Sequence, residues 1–400
     1  MYPPVYITGA GIVSALGIGL SETAQALAEG RSGLAPVRHL QTAHREFPVG
    51  EVPLTDAEMA ARLGVAPETP TTRCLLLGQT ALGEALRTAQ LPATALPGAA
   101  FLSGSTVGGM DRSEQFYQDF LHNDLRNDYI ALHDVGTTTV RVADHYGRFG
   151  FTASLSTACS SAANALLYGL RLIRSGEWDV VVAGGTESLT RFHLNGFNAL
   201  LILDAAPCRP FCATRAGLNL GEGAAYVVLE SAASVRRRGA RPLALLSGGG
   251  NACDAFHQTA TSPEAEGPRR AMQAALADAG LRPADIDYVN AHGTGTPDND
   301  RSEALALRRV FGDALPPYSS TKSATGHTTS ASGAVEAVLC LLALRRGLLP
   351  ANLNWRVPMD DMPAPVTTPR SGVRLRHVLC NSFGFGGNDS ALVLSQLPDV

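Results

Sequence analysis

Two segments of the chain repeat one pattern of small and apolar residues, and this repeat constrains the fold more than any other feature. The segments are CSSAANALLYGLRLIRSG at 159–176 and SASGAVEAVLCLLALRRG at 330–347, with five identities in 18 ungapped positions. Both begin with small residues and end at a glycine that follows an arginine, which is typical of helix C-termini. Helices that are apolar on nearly every side are buried, so the repeat predicts two core helices.

Predicted strands accompany the two helices in the same order. In each half a strand running into glycines precedes the helix and a second such strand follows it, at 5–17 and 180–188 in the first half and at 243–254 and 378–387 in the second. This order predicts a duplicated α/β unit with layered mixed sheets.

The same pattern predicts the domain organisation. We expect one half at 1–240 and the other at 241–400, dividing near the charged segment at 235–242, which carries glycine and proline. Residues 111–135 are more polar and aromatic than their surroundings. We interpret them as an insertion over the core, serving as a lid or as a surface that faces a partner.

Composition excludes several classes of protein. A hydrophobic fraction of 45% with 17% charged residues is typical of a compact globular chain. The formal net charge of −4 gives no general attraction to nucleic acid or to an anionic membrane. Seven scattered cysteines, an odd number, favour reduced thiols and the cytoplasm. We expect no signal peptide, because the N-terminus MYPPVYITGAG lacks a positively charged segment and runs directly into a strand pattern. We expect no membrane span, because no apolar run approaches the roughly 20 residues that a spanning helix needs.

Two short motifs imitate cofactor sites. Gly9 and Gly11 follow the first predicted strand as in a dinucleotide-binding loop, but Ser14 occupies the third glycine position and no acidic residue closes a second strand about 20 residues later. Cys208 and Cys212 lie close together, but a metal site needs further ligands nearby. We therefore expect no nicotinamide, flavin or metal cofactor.

The chain has a single lysine, Lys322, against 31 arginines. The lysine ammonium group is a compact point charge whose pKa is shifted by burial, whereas the planar guanidinium group of arginine stays charged. Lys322 stands five residues before His327 in the stretch STKSATGH. Because arginine is used at every other basic position, the single lysine predicts an active-site cleft at Lys322 rather than a solvated surface position.

Cys159 is a candidate nucleophile. It lies where a predicted strand gives way to the first buried helix, among serines and alanines small enough for a substrate to approach. A thiol at a helix N-terminus feels the partial positive charge of the aligned peptides, which favours the thiolate.

Glycine-rich loops carry the partners that such a nucleophile needs. His292 follows a predicted strand in VNAHGTGTPDND, and His327 precedes the second buried helix. Phe383, Gly384 and Phe385 belong to the turn NSFGFGG, whose backbone N–H groups could stabilise an oxyanion.

These ordered motifs resemble the β-ketoacyl-acyl carrier protein synthases of the thiolase superfamily. The resemblance covers nearly the whole chain and rests on the stretches TGAGIVSALG, GRSGL, LSGSTVGGM, TACSSAANAL, VVVAGGTES, RPF with GEGAAYVVLE, NAHGTGTPDND, STKSATGH with SGAVEA, and NSFGFGG. It implies a thiolase-like duplicated α/β fold of five layers, αβαβα, with mixed sheets and buried central helices. It also implies a decarboxylative Claisen condensation whose substrates are thioesters of phosphopantetheine, without a further cofactor.

The resemblance implies a role for each matching residue. Cys159 takes an acyl chain from the carrier's phosphopantetheine thioester. His292 and His327 bind the malonyl thioester carbonyl, promote loss of carbon dioxide and stabilise the enolate, which attacks the acyl group. Lys322 organises the site and pairs with Glu336.

In the same family the backbone N–H groups matching Cys159 and Phe383 form the oxyanion hole. Phe383 matches the family's gate, with Gly384 and Phe385 in the same turn.

Some positions depart from the family pattern. Family members often have RPFD followed by a segment ending in RDGF, whereas this chain has Cys212, Ala216 and Leu218; Asn388 and Asp389 stand where FGFGGTN is common. These departures favour a specialised polyketide, aryl polyene or similar pathway over housekeeping fatty-acid elongation. A non-catalytic chain-length partner of a ketosynthase heterodimer is the alternative, although such subunits typically lack the cysteine.

The resemblance implies two kinds of partner. One is an acyl carrier protein, for which Arg62, Arg112, Arg126 and Arg191 are candidate docking cations. The other is a second ketosynthase-fold subunit, identical or related, that commonly pairs through the strand before Cys159. The primer, the chain length and the choice between homodimer and heterodimer stay open at this point.

Overall fold

The computed structural model describes residues 2–360 and 362–398. Its strands are β1 (Val5–Ser14), β2 (Gly17–Ile18), β3 (Ala100–Gly104), β4 (Phe151–Leu155), β5 (Val180–Glu187), β6 (Gly223–Ser231), β7 (Ala244–Cys253), β8 (Tyr288–Asn290), β9 (Tyr318–Ser319), β10 (Leu348–Leu349), β11 (Arg370–Ser371), β12 (His377–Gly384) and β13 (Asn388–Ser395). Its α-helices are α1 (Leu20–Glu29), α2 (Asp56–Leu63), α3 (Arg73–Thr88), α4 (Met110–His122), α5 (Val135–Asp144), α6 (Ser161–Arg174), α7 (Arg191–Ala199), α8 (Ala232–Arg238), α9 (Glu266–Ala279), α10 (Pro297–Phe311), α11 (Lys322–Thr325) and α12 (Ser332–Arg346).

A large mixed sheet shows the predicted duplication directly. Its order is β4-β3-β5-β6-β1-β7-β13-β12-β8-β9, with β2 paired to β1. In the first half β3 is parallel to β4 and β5, while β6 is antiparallel to β5 and β1. The second half repeats this arrangement with β8 parallel to β9 and β12, and β13 antiparallel to β12 and β7. The halves join where Tyr6 and Ile7 pair with Leu245 and Ala244.

Five layers follow from where the helices pack. The two predicted core helices, α6 and α12, contact each other and lie between the halves of the sheet, while α3 covers the outer face of the first half and α9 that of the second. Burial is complete in α12 from Ser332 to Leu344. In α6, however, Tyr168 is 37% exposed, because this helix runs beside the edge strand β4, whose own residues are also partly exposed.

The glycines that imitate a dinucleotide loop serve helix packing instead. Gly9 and Gly11 lie inside β1 rather than in a loop. A Cβ at Gly9 would lie 2.5 Å from Ala85 O, and one at Gly11 would lie 2.1 Å from Ala81 O. Helix α3 therefore approaches β1 too closely for any side chain on these residues.

The predicted insertion forms α4 and the short turn Asn127–Leu132. No side chain of α4 is fully buried, and Tyr117, Leu121 and Leu125 are exposed. Helix α4 packs against α7, which lines the catalytic cavity described below. Over the described part of the chain, no helix combines the length and apolarity needed to cross a membrane.

Candidate active site

A sharp turn between β4 and α6 presents Cys159. Ala158 adopts a left-handed φ of 52°, which is uncommon for a residue with a side chain. The turn is closed by hydrogen bonds from Ser160 N to Thr157 O and from Ser161 N to Ala158 O. Cys159 is therefore held two residues before the start of α6, with 5% of its surface exposed.

The two predicted histidines meet at this sulfur. The Nε2 atom of His327 lies 3.1 Å from Cys159 Sγ, and its Nδ1 atom lies 2.9 Å from the hydroxyl of Ser332 at the start of α12. The rings of His292 and His327 stand edge to face with their centroids 5.4 Å apart. Each histidine is only 2% exposed, so both rings face the interior rather than bulk water.

Lys322 joins His292 to the buried acid Glu336. Its Nζ atom donates to Glu336 Oε1 at 2.5 Å and to the His292 carbonyl oxygen at 2.7 Å, and it lies 3.2 Å from His292 Nδ1. The side chains of Lys322 and Glu336 are 1% and 2% exposed. Burial raises the pKa of Glu336 to about 7, although the ammonium group opposes this shift.

Both imidazoles are neutral at neutral pH. Burial lowers the pKa of His292 and of His327 well below the ordinary value, and the positive charge of Lys322 lowers it further. An ammonium group has only donors, so His292 Nδ1 must accept from Lys322 and the ring proton must lie on Nε2. His292 therefore presents an N–H donor to the catalytic cavity.

The charge state of Cys159 differs from the sequence-based expectation. The helix N-terminus predicts a thiolate, yet burial raises the pKa of the Cys159 thiol to about 11. Lys322 and the backbone N–H of Phe385 oppose this shift without cancelling it. Cys159 thus rests as a thiol beside a neutral His327, which can accept its proton.

The glycine-rich turn after β12 closes the site. Gly384 passes beside the nucleophile, since a Cβ on it would lie 3.1 Å from Cys159 N. The N–H group that points at the sulfur belongs to Phe385, whose ring stacks on Phe197 of α7 with centroids 5.7 Å apart. The Phe383 ring lies 5.8 Å from that of His292 and lines the cavity.

Sequence reasoning missed an acid that fixes the His292 loop. Glu303 of α10 accepts the backbone N–H groups of His292 at 2.8 Å and Gly293 at 2.7 Å, and the side-chain amide of Asn381 at 3.0 Å. Burial raises its pKa to about 7. In the sequence, Glu303 is only an acidic residue eleven positions after His292. Because it lies in a predominantly polar helix, sequence reasoning interprets it as a solvated side chain.

A cavity of about 230 Å³ opens at these groups. Cys159 and the two histidines form its reactive end, and its wall includes Phe197, Leu200, Ile202, Leu218, Thr261, Thr294, Phe383, Phe385 and Asp389. A larger cavity of about 620 Å³ lies elsewhere, where Arg73 is paired with Glu222 and Asp56. It contains none of the predicted reactive groups, so the smaller cavity is the candidate site.

None of the predicted docking arginines lines the candidate cavity, although Arg112 and Arg191 line the larger one. Arg112 bonds Asp56, Arg126 lies over the ring of Phe116, and Arg191 is bridged to Glu114. Arg62 is exposed on α2.

The two neighbouring cysteines are buried separately. Cys208 Sγ lies 3.5 Å from the Lys322 carbonyl oxygen, while Cys212 Sγ lies 3.3 Å from the Thr214 hydroxyl. Within residues 2–360 and 362–398, no group of three or more His, Cys, Asp or Glu side chains is arranged so that it could hold a metal ion.

Comparison with known proteins places this arrangement in a family. The family model described as "Beta-ketoacyl synthase, N-terminal domain" matches residues 3–234, and "Beta-ketoacyl synthase, C-terminal domain" matches residues 243–356. Nodulation protein E of Rhizobium meliloti strain 1021 is 36% identical over 409 residues, covering 98% of this chain and 99% of that protein. The 3-oxoacyl-[acyl-carrier-protein] synthase 2 of Coxiella burnetii is 34% identical over 411 residues, covering 99% of both.

Solved structures agree with these matches. The structure described as "The ishigamide ketosynthase/chain length factor" superposes with a TM-score of 0.92 at 31% identity, covering 99% of this chain and 100% of that one. The duplicated five-layer architecture is accordingly the thiolase-like fold of ketosynthases. Because both family models together span most of the sequence and full-length relatives share a third of its residues, the chain belongs to the β-ketoacyl synthase family.

Proposed function

We propose that the protein is a β-ketoacyl-acyl carrier protein synthase, an acyltransferase that condenses an acyl group on Cys159 with a malonyl group on an acyl carrier protein. The observation that carries this proposal is the contact of 3.1 Å between Cys159 Sγ and His327 Nε2. The His292 ring lies beside this pair, and Lys322 fixes its Nε2–H as a hydrogen-bond donor. A non-catalytic chain-length partner has no need of a thiol placed against a neutral imidazole.

The first half-reaction transfers the acyl chain. His327 Nε2 accepts the Cys159 proton as the sulfur attacks the carbonyl carbon of the acyl thioester. The bond to the phosphopantetheine sulfur breaks, and that sulfur leaves with the proton from His327. The Ser332 hydroxyl can donate or accept at His327 Nδ1, so it accommodates both tautomers of the ring.

The second half-reaction forms the carbon–carbon bond. The malonyl thioester carbonyl accepts hydrogen bonds from the Nε2 atoms of His292 and His327, which stabilise the negative charge that develops there. The bond to the malonyl carboxylate breaks, carbon dioxide leaves, and its electron pair forms the enolate. The enolate carbon attacks the acyl carbonyl on Cys159, and the oxyanion is stabilised by backbone N–H groups. We assign these to Cys159 and to Phe385, rather than to the Phe383 of the sequence-based expectation, because the Phe385 N–H is the one that faces the sulfur. The Cys159 sulfur leaves as a thiolate, which releases the β-ketoacyl carrier, and it then takes up a proton from solvent to restore the resting thiol.

We propose an acyl carrier protein and a second ketosynthase-fold subunit as partners. The name of the Coxiella relative supports the carrier, and the likeness to the ishigamide ketosynthase/chain length factor supports a related subunit. The edge strand β4 exposes Phe151, and Tyr168 of α6 is exposed as well, which supports pairing along this edge.

The remaining assignments are also proposals. The names of Nodulation protein E and of the ishigamide ketosynthase support a specialised acyl or polyketide pathway. Seven free cysteines support the cytoplasm. The proposed chemistry requires no cofactor beyond the carrier's phosphopantetheine.

A mass-spectrometric experiment tests the proposal. The protein is incubated with acyl-carrier primers of varied length and unsaturation, and then with malonyl-carrier. We expect an acyl adduct on Cys159 that disappears, with formation of a β-ketoacyl carrier, when malonyl-carrier is added. The Cys159→Ala variant is the control and should form no adduct. A folded wild-type protein that forms no adduct with any primer would support the non-catalytic partner instead.

A further inference from the structure

Asp389, near the start of β13, carries a buried oxygen that the reaction does not explain. The residue lines the catalytic cavity, is 1% exposed, and stands where the common motif FGFGGTN has asparagine. Its Oδ2 atom has no hydrogen-bond partner among the described residues. A buried carboxylate oxygen without a donor is costly, so Asp389 needs either a cation or a proton.

The group facing Asp389 is another carboxyl, that of Asp254. Asp254 accepts the backbone N–H groups of Ser262 at 2.8 Å and Gly267 at 2.7 Å, and the hydroxyl of Thr261 at 3.1 Å. Three donors identify Asp254 as the ionised member of the pair. A Cβ placed on Gly267 would lie 2.1 Å from Asp389 Oδ2 and 2.4 Å from Asp254 Oδ1. The two carboxylate oxygens therefore lie close to the same position beside Gly267.

Among the residues that the structure describes, no cation forms a salt bridge with either member of this pair. The other titratable group acting on Asp389 is Glu303 of α10, which is also an acid; α9 contributes the backbone of Gly267, and β12 contributes Phe383 as its register partner. No salt bridge to Asp389 is present in the part of the chain that the structure describes. Burial and then the charges of Asp254 and Glu303 raise the pKa of Asp389 to about 8.

The pair adjoins the turn that closes the site. Asp254 N donates to Gly387 O at 3.0 Å, and Gly386 N donates to Gln258 O at 2.9 Å. A Cβ on Gly387 would lie 2.5 Å from Asp254 Cβ, so the two segments are in close contact. We name residues 383–387 the gate turn and residues 254–262 the supporting segment.

We propose that Asp389 is a positioning residue that, in its protonated form, donates a hydrogen bond to Asp254 and thereby holds the gate turn against the supporting segment. When the proton leaves, two carboxylates face each other without a cation, and the gate turn loosens. Access to Cys159 then depends on this proton. The inference rests on the proposed function only in taking Cys159 as the nucleophile behind the gate.

The Asp389→Asn variant provides a matched test, because asparagine has nearly the same shape, donates to Asp254 and cannot ionise. Alkylation of Cys159 by iodoacetamide is followed by peptide mass spectrometry from pH 6.5 to 9.5 in both proteins. Comparison at each pH cancels the ionisation of Cys159 itself. We expect the wild-type rate to equal the variant rate within about twofold at pH 6.5 and to exceed it several-fold above pH 8. A ratio that stays constant across this range overturns the proposal.

Two measurements on the wild-type protein keep the proposal testable if the variant does not fold. Infrared spectroscopy should detect a protonated carboxyl that titrates away as pH rises through about 8, in addition to those of Glu303 and Glu336, whose raised pKa values are about 7. Hydrogen exchange of residues 383–390, corrected for intrinsic rates, should accelerate over the same interval. Absence of both changes overturns the gate proposal, whereas failure of carrier acylation with both changes present overturns only the proposed function.

Discussion

Replacing Lys322 with methionine tests the claim that one ammonium group organises the site. The substitution removes three contacts, with Glu336 Oε1, His292 O and His292 Nδ1, at 2.5, 2.7 and 3.2 Å. Removing one partner of a buried ion pair typically costs about 3–5 kcal/mol. Glu336 already has a pKa of about 7 beside Lys322, so without the ammonium it takes up a proton at neutral pH. This protonation limits the loss to about 3 kcal/mol, the lower end of that range.

The loss can be measured as a shift in melting temperature. With an unfolding entropy of about 2.1 cal/mol/K per residue, about 3 kcal/mol corresponds to a decrease of about 4 °C for 400 residues. Burial raises the pKa of Glu336 in the folded protein above the pKa that it has in the unfolded chain. The contribution of Glu336 to the free energy of unfolding therefore falls as pH rises from the unfolded-chain pKa to about 7 in the wild type. In the variant this fall extends to higher pH. We therefore expect a larger deficit at pH 8 than at pH 6.

Activity should separate the two half-reactions. Without Lys322 the Nε2–H tautomer of His292 is no longer fixed, and loss of one such donor typically lowers turnover by about 10²–10³-fold. Condensation should fall by this factor, while acylation of Cys159 should fall less, because His327 is retained. Arg237→Met, which removes a 60% exposed cation paired with Asp179, is the control and should change neither quantity. Equal melting deficits at both pH values, or full condensation activity in Lys322→Arg, would refute the reasoning.

Three further predictions concern other parts of the molecule. Glu303→Gln removes one of the two carboxylate oxygens that accept backbone N–H groups of the His292 loop. The rate of condensation should therefore fall about tenfold, which corresponds to roughly 1.4 kcal/mol. Kinetics with a preformed acyl enzyme measure this rate, and an unchanged rate argues against a positioning role for Glu303. Alkylation of Cys159 should keep rising up to about pH 11, as its raised pKa requires, and a plateau near pH 8 in peptide-resolved rates would show a thiolate instead. Gly11→Ala should destabilise the fold by about 1–3 kcal/mol through contact with Ala81 O, measured by urea denaturation, and wild-type stability would contradict the packing argument.

The sequence predicted the architecture well because apolar periodicity reports burial directly. The repeat ending at Gly176 and Gly347 identified the two central helices, and the four strands predicted around them are β1, β5, β7 and β12. Whether the halves divide at residue 240 is still a prediction. The exposed side of α6 at Tyr168 was not foreseen, since a helix that is apolar in sequence does not reveal that its neighbour is an edge strand.

The sequence by itself determined which chemical groups are present and how the two halves fold. It supplied one thiol at the start of α6, two imidazoles in glycine-rich loops and one ammonium group, each at a position fixed by local pattern. The tertiary structure alone decided their charge states. Cys159 is a thiol rather than the expected thiolate, and both histidines are neutral, because desolvation depends on neighbours that are far away in the chain. Cys159 and His327, which are 168 residues apart, acquire their chemistry only when the two halves bury them together.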